Sequence, residues 1–108
     1  MSLISEIEPP ELKRRLEAGE QLTVLDVREP WELAIAHLPG TLNIPLGEVP
    51  ARMGEIDRQR PLVIMCKAGG RSLRAAQFLA SQGFSGVANL SGGITAWALQ
   101  VDPSVPTY

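Results

Sequence analysis

A single cysteine, Cys66, and a single histidine, His37, are all that this 108-residue chain has of either residue. One cysteine excludes an internal disulfide and a CxxC redox pair, and it suits a reducing compartment. One cysteine and one histidine so far apart do not make a metal site, and nothing else calls for a cofactor. There is no basic excess either. The net charge is -2, whereas a nucleic-acid binder carries a basic stripe. No apolar run approaches the ~18 residues of a membrane span. The opening MSLISEIEPPELK lacks the basic start and apolar stretch of a signal peptide. The expectation is a cytoplasmic monomer, one domain over residues 1–108, with neither nucleic acid nor membrane as partner. What is present is ordinary for a globular chain: 44% hydrophobic and 20% charged residues. A chain of this length buries roughly two-thirds of its unfolded surface, enough for a core without cross-links.

Apolar runs and turn residues divide the chain. SEIEPPELKRRLEAGE reads as a helix with Pro9 or Pro10 in its first turn and Gly19 as its stop. QLTVLDV is a buried strand ending at Asp26. EPWELAIAH starts a short helix at Pro30, and LPGTLNIP is a turn followed by a short strand. LVIMC is a second buried strand, followed by a helix from Arg71 or Ser72 to Gln82. GVANL is a third central strand, GGITAWAL a closing helix, and residues 101–108 an extended Pro-containing tail. Strands alternating with helices predict an α/β fold, a parallel sheet with helices on both faces. In such sheets ligands bind at the carboxyl ends of the strands, where Asp26 and Cys66 both fall.

The segment CKAGGRS, residues 66–72, concentrates the chemistry. Gly69 and Gly70 permit a tight turn between strand and helix. The backbone N–H groups of such a turn form an anion-binding nest, and the following helix adds its positive end. Lys67 and Arg71 add full charges. All of these favour thiolate over thiol and predict a Cys66 pKa below the free value of ~8.5. The same loop would stabilise a negatively charged group built on the sulfur, which is nucleophilic catalysis without an adjacent general base. A cysteine kept only as a small buried hydrophobe does not need a loop stripped of side chains.

Three segments in order, LDVREPWELAIAHLPGTLNIP, CKAGGRS and LSGGITAW, resemble the rhodanese-like sulfurtransferase family over nearly the whole chain. The resemblance implies a parallel sheet of about five strands. It also implies that Cys66 takes sulfur from a donor, holds it as a persulfide and passes it on. Lys67, Ala68, Gly69, Gly70, Arg71 and Ser72 would form the cradle. Thiosulfate or a similar small anionic donor is expected, with a thiol, cyanide or a sulfur-carrier protein as acceptor. The alternative is a persulfide delivery module serving a sulfur-carrier, cofactor or tRNA thiolation pathway. The cell-cycle dual-specificity phosphatases share this fold but have a loop one residue longer. The four residues between Cys66 and Arg71 suit a sulfur atom and not a phosphate.

The remaining candidates carry two readings each. Asp26 and Arg28 are either an ion pair that holds the loop or, for Arg28, a source of positive potential for an anionic donor. Glu32 anchors the following turn. His37 is a base or, more simply, part of the turn before Pro39-Gly40. Trp31 and Trp97 read as packing residues and Arg74 as a surface charge. The paired Gly92-Gly93 lets the chain pass close to the cysteine loop. The tail VDPSVPTY looks like the ends of rhodanese domains fused to adenylating enzymes of molybdopterin and tRNA-thiolation pathways.

Overall fold

The fourth strand of the chain is apolar on both sides, and that property dictates the layers. A computed structural model describes residues 4–108. In β4 (Leu62–Met65) every residue is buried. Leu62 and Ile64 point into one apolar cluster with Leu25, Val27, Ala75, Ala76 and Leu79. Val63 and Met65 point into the other, with Leu12, Val24, Leu90, Ile94 and Trp97. Strand residues alternate sides, so a run without polar residues needs cover on both faces. The helices α3 (Val49–Arg52) and α4 (Gly70–Ser81) cover one face. The helices α1 (Pro9–Glu17) and α5 (Gly93–Gln100) cover the other.

The sheet has five strands in the order β1-β5-β4-β2-β3, all parallel. They are β1 (Ser5–Ile7), β2 (Thr23–Asp26), β3 (Leu42–Asn43), β4 and β5 (Val87–Leu90). The α/β architecture expected from the sequence is the observed one. Asp26 pairs in register with Met65, so β2 and β4 end side by side. Between β2 and β3 lies α2 (Pro30–Ile35), begun by Pro30 and closed by a reciprocal cap. Glu32 accepts the Glu29 N–H at 2.9 Å, and the Glu29 side chain caps the backbone of Glu32.

Two readings of the ends of the chain are corrected. Ser5–Ile7 does not belong to the first helix but pairs with Ala88 to Leu90 of β5. Pro9 then sits at the helix start, where its missing N–H costs nothing. The tail is not extended. It turns at residues 101–105, held by Asp102 N–H to Trp97 O and Val105 N–H to Asp102 O. Val101, Val105 and Tyr108 pack on the α1/α5 side of the core.

Candidate active site

Cys66 directly follows β4 on the α4 face, 2% exposed, so its sulfur lies at the floor of the loop. Gly69 N–H donates to Sγ at 3.0 Å, and Ser72 Oγ stands 3.4 Å away. Gly69 has φ +109°, a conformation that L side chains rarely adopt. That turn aims its N–H back at the sulfur and makes it the N-cap of α4. Burial pushes the thiol pKa up. The Ser72 hydroxyl and the N–H groups of Ser72, Gly69 and Ala68 pull it down and prevail, leaving Cys66 below the ordinary thiol range.

The N–H groups point inward because the carbonyls are held outward. Ile94 N–H donates to Cys66 O at 2.9 Å, and Thr95 N–H donates to Lys67 O at 3.1 Å. The first turn of α5 thus takes up the loop's acceptors with donors that a helix start leaves unpaired. Gly93 makes this approach possible. A Cβ there would stand 2.3 Å from Cys66 O and 2.5 Å from Lys67 O. The glycine pair in LSGGITAW therefore has the close-approach role read from the sequence, at atomic contact with the cysteine loop.

Both loop cations have partners of their own beside the sulfur. Arg71 is bidentate to Glu32 of α2, Nη1 to Oε2 at 2.7 Å and Nη2 to Oε1 at 2.8 Å, so its charge is paired. Its hydrogen bonds to Glu32 lower that carboxyl most; burial opposes them, the Glu29 N–H and Tyr108 hydroxyl help, and the pKa falls to about 2. Lys67 has its ammonium 4.8 Å from the ring centroid of Tyr108. Arg28 is wholly buried and gives its N–H groups to protein acceptors. It holds Asp26 (Nη2 to Oδ2 2.7 Å, Nε to Oδ1 3.0 Å), Ala36 O (2.9 Å) and the Tyr108 hydroxyl (2.8 Å). Of the two readings of Arg28, the structure has the ion pair. No solvent-facing part of its side chain is left for a donor, because Asp26 and Tyr108 enclose it.

Tyr108 links the two charge systems. Its hydroxyl accepts from Arg28 and donates to Glu32 Oε1 at 2.8 Å. Sequence reasoning assigned this residue no part, because its contacts lie 76 and 80 residues away. Trp31, expected to pack, is 63% exposed and meets Tyr108 edge-on, with centroids 6.4 Å apart. Trp97 is buried, and His37 and Arg74 are exposed. Ala68 and Gly70 are exposed on the loop, and Ser72 is buried against the sulfur.

Comparison with known proteins places this fold and sequence in a family. The model of the rhodanese-like domain family matches residues 8–100. This chain belongs to that family. The rhodanese domain is 41% identical over 96 residues to a sulfurtransferase of Allochromatium vinosum, covering 89% of this chain and 90% of that protein. It is 43% identical over 93 residues to the rhodanese-like/PpiC domain-containing protein 12 of Arabidopsis thaliana, 82% of this chain but only 31% of that one. It is 38% identical over 106 residues to a "Probable adenylyltransferase/sulfurtransferase MoeZ" of Mycobacterium tuberculosis, 96% of this chain and 27% of that one. The crystal structure of a rhodanese-related protein from Thermoplasma volcanium superposes with a TM-score of 0.83 at 31% identity, covering 96% of this chain and 99% of the other. Among the described residues no helix is long and apolar enough to cross a membrane.

Proposed function

We propose that this rhodanese domain is a sulfurtransferase that moves sulfane sulfur from thiosulfate, or a similar small anionic donor, to a thiophilic acceptor through a persulfide on Cys66. The observation that carries this reading is the sulfur at the floor of a loop whose N–H groups turn toward it while α5 holds the carbonyls away. The Cys66 thiolate attacks the outer sulfur of thiosulfate. A new S–S bond forms, the donor's S–S bond breaks, and its electron pair leaves with sulfite. The charge then sits on the terminal persulfide sulfur. Cyanide or a thiol attacks that sulfur next and returns Cys66 as thiolate, so no oxidant or reductant is consumed. N–H donors fixed before the reaction stabilise the anion without reorganising. Lys67, Ala68, Gly69, Gly70, Arg71 and Ser72 form the cradle. Arg28 serves the site through Asp26 and Tyr108, without touching donor.

With one cysteine in the sequence, no second thiol within it can take the sulfur from Cys66, so the acceptor lies outside these 108 residues. The similarity to a protein named for both adenylyl and sulfur transfer supports a second reading, delivery of the persulfide to a sulfur-carrier protein. We read residues 1–108 as one domain, cytoplasmic and monomeric, with residues 101–108 folded back on it. Thiocyanate formation from thiosulfate and cyanide tests the reaction. The purified chain forms thiocyanate and Cys66→Ser forms none; equal formation by both overturns the proposal.

A further inference from the structure

The single proton of the Ser72 hydroxyl has two claimants. Asn89 lies on β5, 4% exposed. Its Nδ2 faces two acceptors, Glu6 Oε2 at 3.1 Å and Gly69 O at 3.2 Å. An amide nitrogen only donates, so these acceptors fix the amide's orientation and turn Oδ1 toward α4. There Ser72 Oγ stands 2.5 Å from Oδ1. An amide oxygen only accepts, so Ser72 gives its proton to Asn89. In that state Ser72 meets Cys66, 3.4 Å away, only as an acceptor from S–H. A thiolate or persulfide has no S–H to offer. For the anion to be bonded by Ser72, the hydroxyl must turn and leave Asn89.

We propose that Asn89, oriented by Glu6, is a positioning residue that tunes Cys66 by competing with the anionic sulfur for the Ser72 proton. Glu6 sits on β1 and is held in turn by the Ser91 hydroxyl at 2.7 Å. The relay thus runs from an edge strand through β5 and α4 to the end of β4. The other charged groups around the sulfur are Lys67 of the loop, Arg71 of α4 and, behind Arg71, Glu32 of α2. The relay uses none of these. The inference deepens the reading of Cys66 as the sulfur carrier, but its test needs no sulfur donor.

The test is the pH dependence of Cys66 alkylation by iodoacetamide, a neutral reagent that reads the chain's one thiol. Ser72→Ala removes the donor, and its profile moves to higher pH. Asn89→Leu removes the competing acceptor, and its profile moves to lower pH, with alkylation below the midpoint roughly 3- to 10-fold faster, as for one hydrogen bond. The Asn89→Leu/Ser72→Ala double variant follows Ser72→Ala, because without the hydroxyl nothing is left to compete for. Glu6→Gln, at an exposed position, shifts the profile the same way as Asn89→Leu by less, and it carries the test if Asn89→Leu does not fold. Profiles of Asn89→Leu and Glu6→Gln that coincide with the parent's, or shift upward, overturn the proposal. So does a double variant whose shift is the sum of the single ones. The profiles keep their meaning even if thiosulfate fails to load the sulfur, so the two proposals fail separately.

Discussion

The ends of β2 and β4 lie side by side in register and treat charge in opposite ways. After β2, full charges are closed on each other: Asp26 and Arg28 are both wholly buried and hydrogen-bonded together. After β4, the sulfur has backbone and hydroxyl donors within reach, while the nearby guanidinium of Arg71 is spent on Glu32. A closed ion pair is rigid but has nothing left to offer a ligand. A ring of N–H dipoles stays unspent until an anion forms in it. The first is scaffold, and the second is where the proposed chemistry takes place.

The largest blow to this contrast comes from unpairing the scaffold. Arg28→Met leaves the Asp26 carboxylate buried without its partner, and about 3–5 kcal/mol of stability is lost. Urea unfolding checks the loss, and a decrease below about 1 kcal/mol would mean that the pair is not closed. Gly93→Ala attacks the other side, where a Cβ meets the Cys66 and Lys67 carbonyls and the backbone has φ +59°. It costs more than about 1 kcal/mol, and it turns the cradle enough to slow Cys66 alkylation at neutral pH.

Acid gives a smaller effect with a defined window. The Glu32 carboxyl titrates at about 2 in the fold against its ordinary 4.5, so the folded chain binds fewer protons than the unfolded one between those values. The stabilisation is complete above about 4.5 and disappears as the pH falls toward 2. Arg71→Gln removes the first cause of that depression and flattens this acid limb in a denaturation series. The smallest effect belongs to Lys67, the loop cation for which no carboxylate partner is found among the described residues. Lys67→Ala leaves stability within about 0.5 kcal/mol and raises KM for thiosulfate by roughly 2- to 5-fold, a modest loss of local positive potential.

The parts of this arrangement that are local in sequence were legible. PLVIM followed by a cysteine and two glycines can be read as a buried strand opening into a nest, and the structure places Cys66, Gly69 and Ser72 together. The parts built by tertiary contact were not. Ser5–Ile7 buries only Ile7 among its three residues, too little pattern to announce an edge strand. Tyr108 reaches Arg28 and Glu32 across the chain, and the turn pattern of a Pro-containing tail says nothing of where it docks. Arg71 looked like a free cation because its partner Glu32 is 39 residues away. Asn89 left one signal unread: a polar residue amid the apolar run GVANL. In a central strand such a residue must find partners, and its partners here lead to the sulfur.

The measurement that bears most directly on the account is the intact mass of the purified chain before thiosulfate, after it, and again after cyanide. The account predicts the gain of one sulfur atom's mass, its loss to cyanide, and no gain in Cys66→Ser. A parent chain whose mass stays unchanged by thiosulfate, or a Cys66→Ser variant that gains the same mass, would contradict it.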